Sequence, residues 1–463
     1  MVIVLINLIK NEYIKLYKRP FIWISLILVV IICFGIALVL FTYNDNKSDM
    51  DANWEEQTKA EIKNLEQSLT DKNLQDSYKG EIEINIKTDK VILKYNIKPS
   101  DWRRNLGRQL AVLDDENINI SDDQTNALRS IIINDDWKTD IKNQNKMYEE
   151  DLENNPPVSY KYKEALNTLK ISDLRFKYNI KPTLSDSDWK NNALIKLAMN
   201  KSSLLENEFF WAEDQYSLSD AEVKNLTDEN ILLLYKLEHD IPDVQIKSLS
   251  SYLEKSTILG TIVMVIMIVL SSMCITNEYT YGTNSQLLIY PYKRWKVLIS
   301  KCIVLALSTL GILIIIYLSS FLIGILFFHN ANIAPFLMVQ NGKAIEINYF
   351  IYILIKYIFI FIEITMYSSL AILLSLLSKN PGISIGITTI LALVSKPILS
   401  TLSTTYKIDN LKFVPLSSFD FNQFIDNKIL VSGITPPFAI IMTILSFLII
   451  RYFSYSVFKN KEI

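Results

Sequence analysis

The sequence predicts an all-α membrane protein: six transmembrane helices with a large, mostly helical extracytoplasmic domain between the first and second. Three observations carry this: long apolar stretches, a charge distribution that divides the chain in two, and a repeat inside its polar part. Of the 463 residues, 50% are hydrophobic and 21% charged, and the mean hydropathy is +0.19. That average hides two populations. Residues 43–255 hold 29 Lys+Arg and 41 Asp+Glu, a net of −12, and the remainder carries a net of +10. This split excludes a single soluble globule, a disordered chain and a nucleic-acid binder of high pI.

About 20 apolar residues in a helix cross a bilayer core. Residues 21–42, 256–277, 302–328 and 429–450 are uncharged and apolar enough to do so. Residues 348–378 and 382–399 qualify with one or two charges, Lys356 and Glu363 in the first and Lys396 in the second. The first stretch is too long for a signal peptide and no small-residue cleavage pattern follows it. Before it, residues 1–20 read as an amphipathic elbow helix on the membrane surface. Ile6, Ile9, Tyr13, Leu16 and Tyr17 form its apolar stripe, and Lys10, Lys15 and Lys18 its polar side. A basic topogenic flank is the plainer reading of the same residues.

Lys10, Lys15, Lys18 and Arg19 ahead of the first span place the N-terminus in the cytoplasm. Alternation then sets residues 43–255 outside and 278–301 inside. The inner segments are basic: Lys293, Arg294, Lys296 and Lys301, then Lys379, then Arg451, Lys459 and Lys461 at the cytoplasmic C-terminus. The three cysteines, Cys33, Cys274 and Cys302, fall in or beside spans. The outer domain has none, so it folds without disulfides.

Inside that domain Lys94-Tyr95-Asn96-Ile97-Lys98-Pro99 recurs as Lys177-Tyr178-Asn179-Ile180-Lys181-Pro182, and the same offset links Trp54 to Trp137, Leu65 to Tyr148 and Leu69 to Leu152. Ser100-Asp101-Trp102 matches Ser187-Asp188-Trp189. Two copies of one unit, 51–113 and 134–200, account for this, and Leu237-Glu238-His239-Asp240-Ile241-Pro242 is a weaker third echo. Trp54, Thr58, Leu65 and Leu69 have helical spacing. Ile82, Ile84 and Ile86 alternate like a strand, but the second copy does not, so helix is the shared expectation. Ser219 with Glu222 forms a capping box.

The connection 278–301 carries the most specific signal. It reads Glu278-Tyr279-Thr280-Tyr281-Gly282-Thr283, then Leu287-Leu288, Pro291, Arg294 and Ser300-Lys301. Gly282 permits a tight turn, Thr283 can cap a short helix, and Leu287, Leu288 and Tyr290 offer an apolar knob. Such a helix either sits in a groove on a partner or is an interfacial turn anchored by Lys and Tyr. The pattern resembles the permease subunits of ABC-2-type transporters, which show an acidic residue, Gly-Thr, Leu-Leu, a Pro and an Arg before the third span. The six spans, the inner termini and the elbow helix fit that family. The large insert, with its YNIKP and LEHDIP, is similar to a subset from Gram-positive bacteria. The resemblance extends over the whole chain. It implies a plasma-membrane protein that partners two ATP-binding subunits and a second permease, in a homo- or heterodimer. It also implies that Glu278, Tyr279, Tyr281, Gly282, Thr283, Leu287, Leu288, Pro291, Arg294 and Lys301 couple the spans to the ATPase.

The chain itself has no G-x-x-x-x-G-K-[ST] loop, and its 11 glycines leave little room for a phosphate cradle. ATP and Mg are therefore expected only on the partner subunit, with no cofactor here. His239 and His329 lie far apart and no Cys/His cluster exists, so no metal site is expected. No G-x-S-x-G or other catalytic constellation is present, and no catalytic residue is assigned. The acid pairs Asp114-Asp115, Asp122-Asp123 and Asp135-Asp136 read as solvated or capping residues.

Lys356 and Glu363 lie seven apart on one helical face and form a possible intramembrane polar site. Lys356 is near the outer end and is expected to snorkel. A charge near mid-bilayer costs about 2.5–3.5 kcal/mol on insertion scales, so Glu363 should face other helices or an aqueous path. The alternatives are a polar contact on a substrate route and a hydrogen bond to a neighbouring Tyr or Ser. Lys396, beside Pro397, is expected to reach the interface. Residues 400–428 contain Leu411, Phe413, Phe419, Phe421 and Phe424 and read as a re-entrant or interfacial outer segment.

The function expected is that of an exporter's permease, expelling a hydrophobic, lipid-like or peptide substrate. The −12 charge outside favours cationic antimicrobial peptides, in export or immunity. The alternative is a membrane receptor or immunity protein that captures an extracellular peptide and signals without transport. A mechanotransmission permease fits less well, since those usually have four spans.

Overall fold

Apolar residues without helix breakers, in runs longer than five turns, leave the backbone one way to satisfy its polar groups away from water, and helix dominates accordingly. The computed structural model describes residues 2–43, 51–70, 75–113, 122–185, 188–211, 217–280, 294–328, 333–406, 408–426, 429–431 and 433–460. By internal packing the chain forms two units. One comprises residues 1–43, 219–225 and 244–463, the other 44–218 and 226–243.

The first unit contains six helices long and apolar enough to cross a membrane: Pro20–Thr42, Leu249–Asn277, Trp295–Phe327, Tyr349–Ser378, Pro381–Ser403 and Pro436–Lys459. An elbow helix, Val2–Tyr17, precedes the first. In the most apolar 18-residue stretch of the second and fourth spans 56% and 61% is buried, against 28% for each of the others. The second and fourth spans thus make the centre of the bundle. The others turn apolar faces outward, as Ile24, Ile27, Leu28 and Ile31 do on the first. Apolar exposure on that scale is what a lipid-facing surface requires.

Small and hydroxylated residues bring the helices together. A Cβ on Gly260 of the second span would lie 2.7 Å from Ile360 of the fourth, and one on Gly324 of the third would collide with Leu249. At one end of the bundle Ser272, Ser375 and Ser384 tie the second, fourth and fifth spans. The Ser384 hydroxyl lies 2.9 Å from both other hydroxyls and donates to the Ala371 carbonyl at 2.8 Å. Towards the other end Cys33 Sγ meets the Tyr252 hydroxyl at 3.0 Å and the Ser320 hydroxyl at 3.1 Å.

Three features differ from the sequence reading. The third span's helix starts at Arg294, so Lys301 lies inside it rather than in a loop before residue 302. No breaker separates 294 from 302, and a buried carboxylate receives the lysine. The sixth span's helix starts at Pro436 rather than 429, after Gly433 at φ 76°. Proline suits a first helical turn because its missing N–H has no partner to lose. A hairpin of two strands, Phe336–Gln340 and Lys343–Ile347, was not foreseen. Its turn is Asn341-Gly342, with φ 51° and 73°, the Asn-Gly pair that favours two-residue hairpins. Within 400–428 two 3-10 turns, Asp409–Phe413 and Pro415–Ser418, and one short helix, Asn422–Ile425, are formed.

The second unit is helical too. Helices Trp54–Ser68, Asp76–Lys94 and Arg104–Leu113 recur as Trp137–Asn154, Tyr160–Lys177 and Trp189–Glu206. The alternating isoleucines 82, 84 and 86 lie within helix Asp76–Lys94. The repeated Tyr-Asn-Ile-Lys-Pro is a helix stop: Asn96 and Asn179 take φ 51° and 50°, and the next isoleucine's N–H reaches back to Ile92 or Arg175 at 3.0 Å. Asp240 and Ile241 do the same with Lys236. This left-handed C-cap buries the isoleucine that follows it: Ile97, Ile180 and Ile241 are all in the interior. Ser219 and Glu222 exchange capping hydrogen bonds at the start of helix Asp220–His239.

Candidate functional site

Side chains of the fourth span that recur every three or four residues fall on one face, and its central face is Tyr349, Tyr352, Lys356, Ile360 and Glu363. That face borders a cavity of about 780 Å³, lined also by Glu254, Gly260, Lys396, Asn422 and Asp426. Two lysines organise its polar wall. Lys356 Nζ lies 2.8 Å from Asp426 Oδ1 and 3.9 Å from Glu254 Oε1. It donates to the Tyr352 hydroxyl at 3.0 Å, which donates onward to Asp426 at 3.1 Å. Lys396 Nζ sits between Glu363 Oε1 and Asp420 Oδ2, 2.8 Å from each. The side chains of Lys356 and Glu363 are 7% and 8% exposed. Four carboxylates thus face two ammonium groups. Buried charges persist only when paired and hydrogen-bonded, and these pairings hold three transmembrane-region segments and the 408–426 turns in one arrangement.

A further buried ion pair lies at the other end of the bundle. Lys301 Nζ, in the third turn of its helix, is 2.8 Å from Glu12 Oε2 of the elbow helix. Lys301 is 2% exposed and Glu12 8%. Lys15 holds the other Glu12 oxygen at 2.9 Å. Burial alone would raise the Glu12 pKa, but Lys301 and then Lys15 outweigh it and hold the carboxyl below its ordinary value. The elbow helix is therefore fastened to the base of the third span through a charge that has left water.

The expected site residues divide accordingly. Glu278 and Tyr279 belong to the last turns of helix Leu259–Thr280, and Arg294 begins the next helix. Tyr281, Gly282, Thr283, Leu287, Leu288 and Pro291 lie outside the described residues. Lys356 does not snorkel: Asp426 meets it inside the protein. Glu363 is held by a lysine rather than by a Tyr or Ser, and Lys396 turns inward to that carboxylate instead of reaching the interface. Attraction between unlike charges in a poorly screened interior explains both departures.

Glu12, Glu254, Asp420 and Asp426 escaped the sequence reading. A signal for Glu12 existed, since it is the sole acid before residue 45. Asp420 and Asp426 sit in a stretch read for its aromatics. Among the described residues no group of three or more His, Cys, Asp or Glu is arranged to hold a metal ion.

Six apolar helices around a charged interior define a multi-pass membrane protein. Residues 6–463 match the family model described as ABC-2 family transporter protein, and the chain belongs to that family. It is 26% identical over 284 residues to a Bacillus subtilis (strain 168) protein named "Uncharacterized protein YhcI", a match covering 60% of this chain and 86% of that protein. Membership makes the chain a membrane permease component of an ABC transporter, a transport subunit whose partner is an ABC ATPase.

Proposed function

We propose that this permease forms a homo- or heterodimer, binds two ATP-binding subunits through residues 278–301, and expels cationic amphipathic peptides. ATP and Mg are bound on the partner, and this chain supplies the route. The connection between the second and third spans receives the ATPase's motion. The Glu12–Lys301 pair makes the elbow helix and the third span move together. With the N-terminus cytoplasmic, the charged cavity opens in the outer half of the bundle.

The observation that carries the peptide reading is the charge of the 43–255 block, a net of −12. It concentrates cations by electrostatic attraction, which weakens as salt rises. Co-purification with an ATP-binding subunit, followed by turnover measurements in vesicles, tests it. Turnover should rise with a cationic amphipathic peptide and respond less to a neutral hydrophobic drug. A chain that captures the peptide but purifies with a kinase and no ATPase is a receptor, and the export reading fails.

A further inference from the structure

Near the Glu12–Lys301 end of the bundle, the third and sixth spans diverge around an apolar cleft of about 430 Å³. Trp295, Leu298, Ile303 and Ala306 line one side, and Phe447 and Tyr455 the other. One cation stands in it. Arg451 packs its guanidinium 4.9 Å above the Phe447 ring and contacts the Cys302 sulfur. Among the described residues it has no carboxylate partner, unlike the buried Lys301 and Lys356 and the half-buried Lys396.

We infer that this cleft binds one anionic phospholipid, with an acyl chain against the apolar wall and the phosphate on Arg451. Three features favour that occupant. The lining is almost wholly apolar, which suits a hydrocarbon chain better than a polar solute. Guanidinium recognises phosphate through paired, charge-assisted N–H donors. Trp295 and Tyr455 flank the cleft at the helix ends, the depth at which amphipathic rings meet headgroups, and basic pockets between membrane helices take anionic headgroups. The inference needs only that the spans lie in a bilayer, so it stands or falls apart from the transport reading.

Native mass spectrometry of the full chain in detergent, titrated with phosphatidylglycerol or phosphatidylcholine, tests it. The chain should retain one phosphatidylglycerol with about 5- to 10-fold preference over phosphatidylcholine, the worth of one well-placed cation. Arg451→Gln should abolish that preference and Arg451→Lys keep only part of it, since an ammonium restores the charge but not the paired donors. Ala306→Phe fills the cleft, leaves the charge, and should release the lipid. Millimolar inorganic phosphate should not compete. Equal retention of both lipids, unchanged phosphatidylglycerol binding in Arg451→Gln, or displacement by free phosphate overturns the assignment. So does a variant that loses a chain–chain dimer while keeping its lipid. Thermal unfolding of each variant in the same detergent separates lost binding from lost fold.

Discussion

Glu12 and Lys301 show what one residue can cost or contribute in this bundle. Removing one partner of a buried pair leaves the other charge unsolvated, a loss of about 3–5 kcal/mol. Glu12→Gln should therefore destabilise the protein by roughly that amount, whereas Glu12→Gln with Lys301→Met should recover most of it, read from thermal unfolding in detergent. The folded pKa of Glu12 is depressed, so its contribution is full above the ordinary carboxyl value of 4.5 and disappears as pH falls through the lowered one. Asp89 in the second unit is the opposite case. Burial, with Glu61 adding to it and Arg104 opposing, pushes its pKa up to about 6. The folded state then binds the proton more tightly, and stability falls as pH rises from the ordinary value of 3.8 to about 6. Asp89→Asn should flatten that slope and stabilise the chain by about 1–2 kcal/mol at pH 7, after allowance for solvent screening. Unchanged pH dependence of unfolding would show that Asp89 does not titrate this way.

Elements were legible where a local rule dictates them. The repeated Tyr-Asn-Ile-Lys-Pro was visible as a repeat, and its cause is a helix stop whose asparagine must adopt positive φ and whose isoleucine must be buried. Asn96→Gly should then be nearly neutral, Asn96→Val should cost at least about 1 kcal/mol, and Ile97→Ala about 2–5 kcal/mol. Chemical denaturation monitored by tryptophan fluorescence reads all three, and a harmless Ile97→Ala would remove this cap from the core. Long apolar helices were equally readable, but their ends were not. A run of hydropathy does not say that the chain takes positive φ at Gly433 before Pro436 starts the helix, nor that the third span reaches back to Arg294. The Asn341-Gly342 hairpin was readable and was missed because the surrounding apolar spans dominated the pattern.

At the scale of the molecule, the charges that matter are joined over long sequence separations, which is why the site was only half visible. Lys356 and Glu363 stand out in an apolar span without any partner in sight. Their partners arrive from other segments: Asp426 is 70 residues beyond Lys356, and Lys396 comes from the next span. Pairing of this kind follows from packing and not from local pattern. If the cavity is the peptide route, Lys396→Met should leave Glu363 and Asp420 unpaired and change peptide-stimulated turnover more than basal ATPase activity. Equal loss of both would assign the cluster to stability alone.

The claim on which the functional account rests is that the connection between the second and third spans faces the cytoplasm and meets an ATPase there. Side-specific cysteine labelling in intact cells tests this, with Cys33, Cys274 and Cys302 replaced and single cysteines placed at Ser285 and Ser68. The expected result is that Ser68→Cys reacts with an impermeant reagent from outside. Ser285→Cys should react only once the membrane is opened, and should crosslink to an ATP-binding subunit. Labelling of both positions from the same side would contradict the topology and the coupling with it.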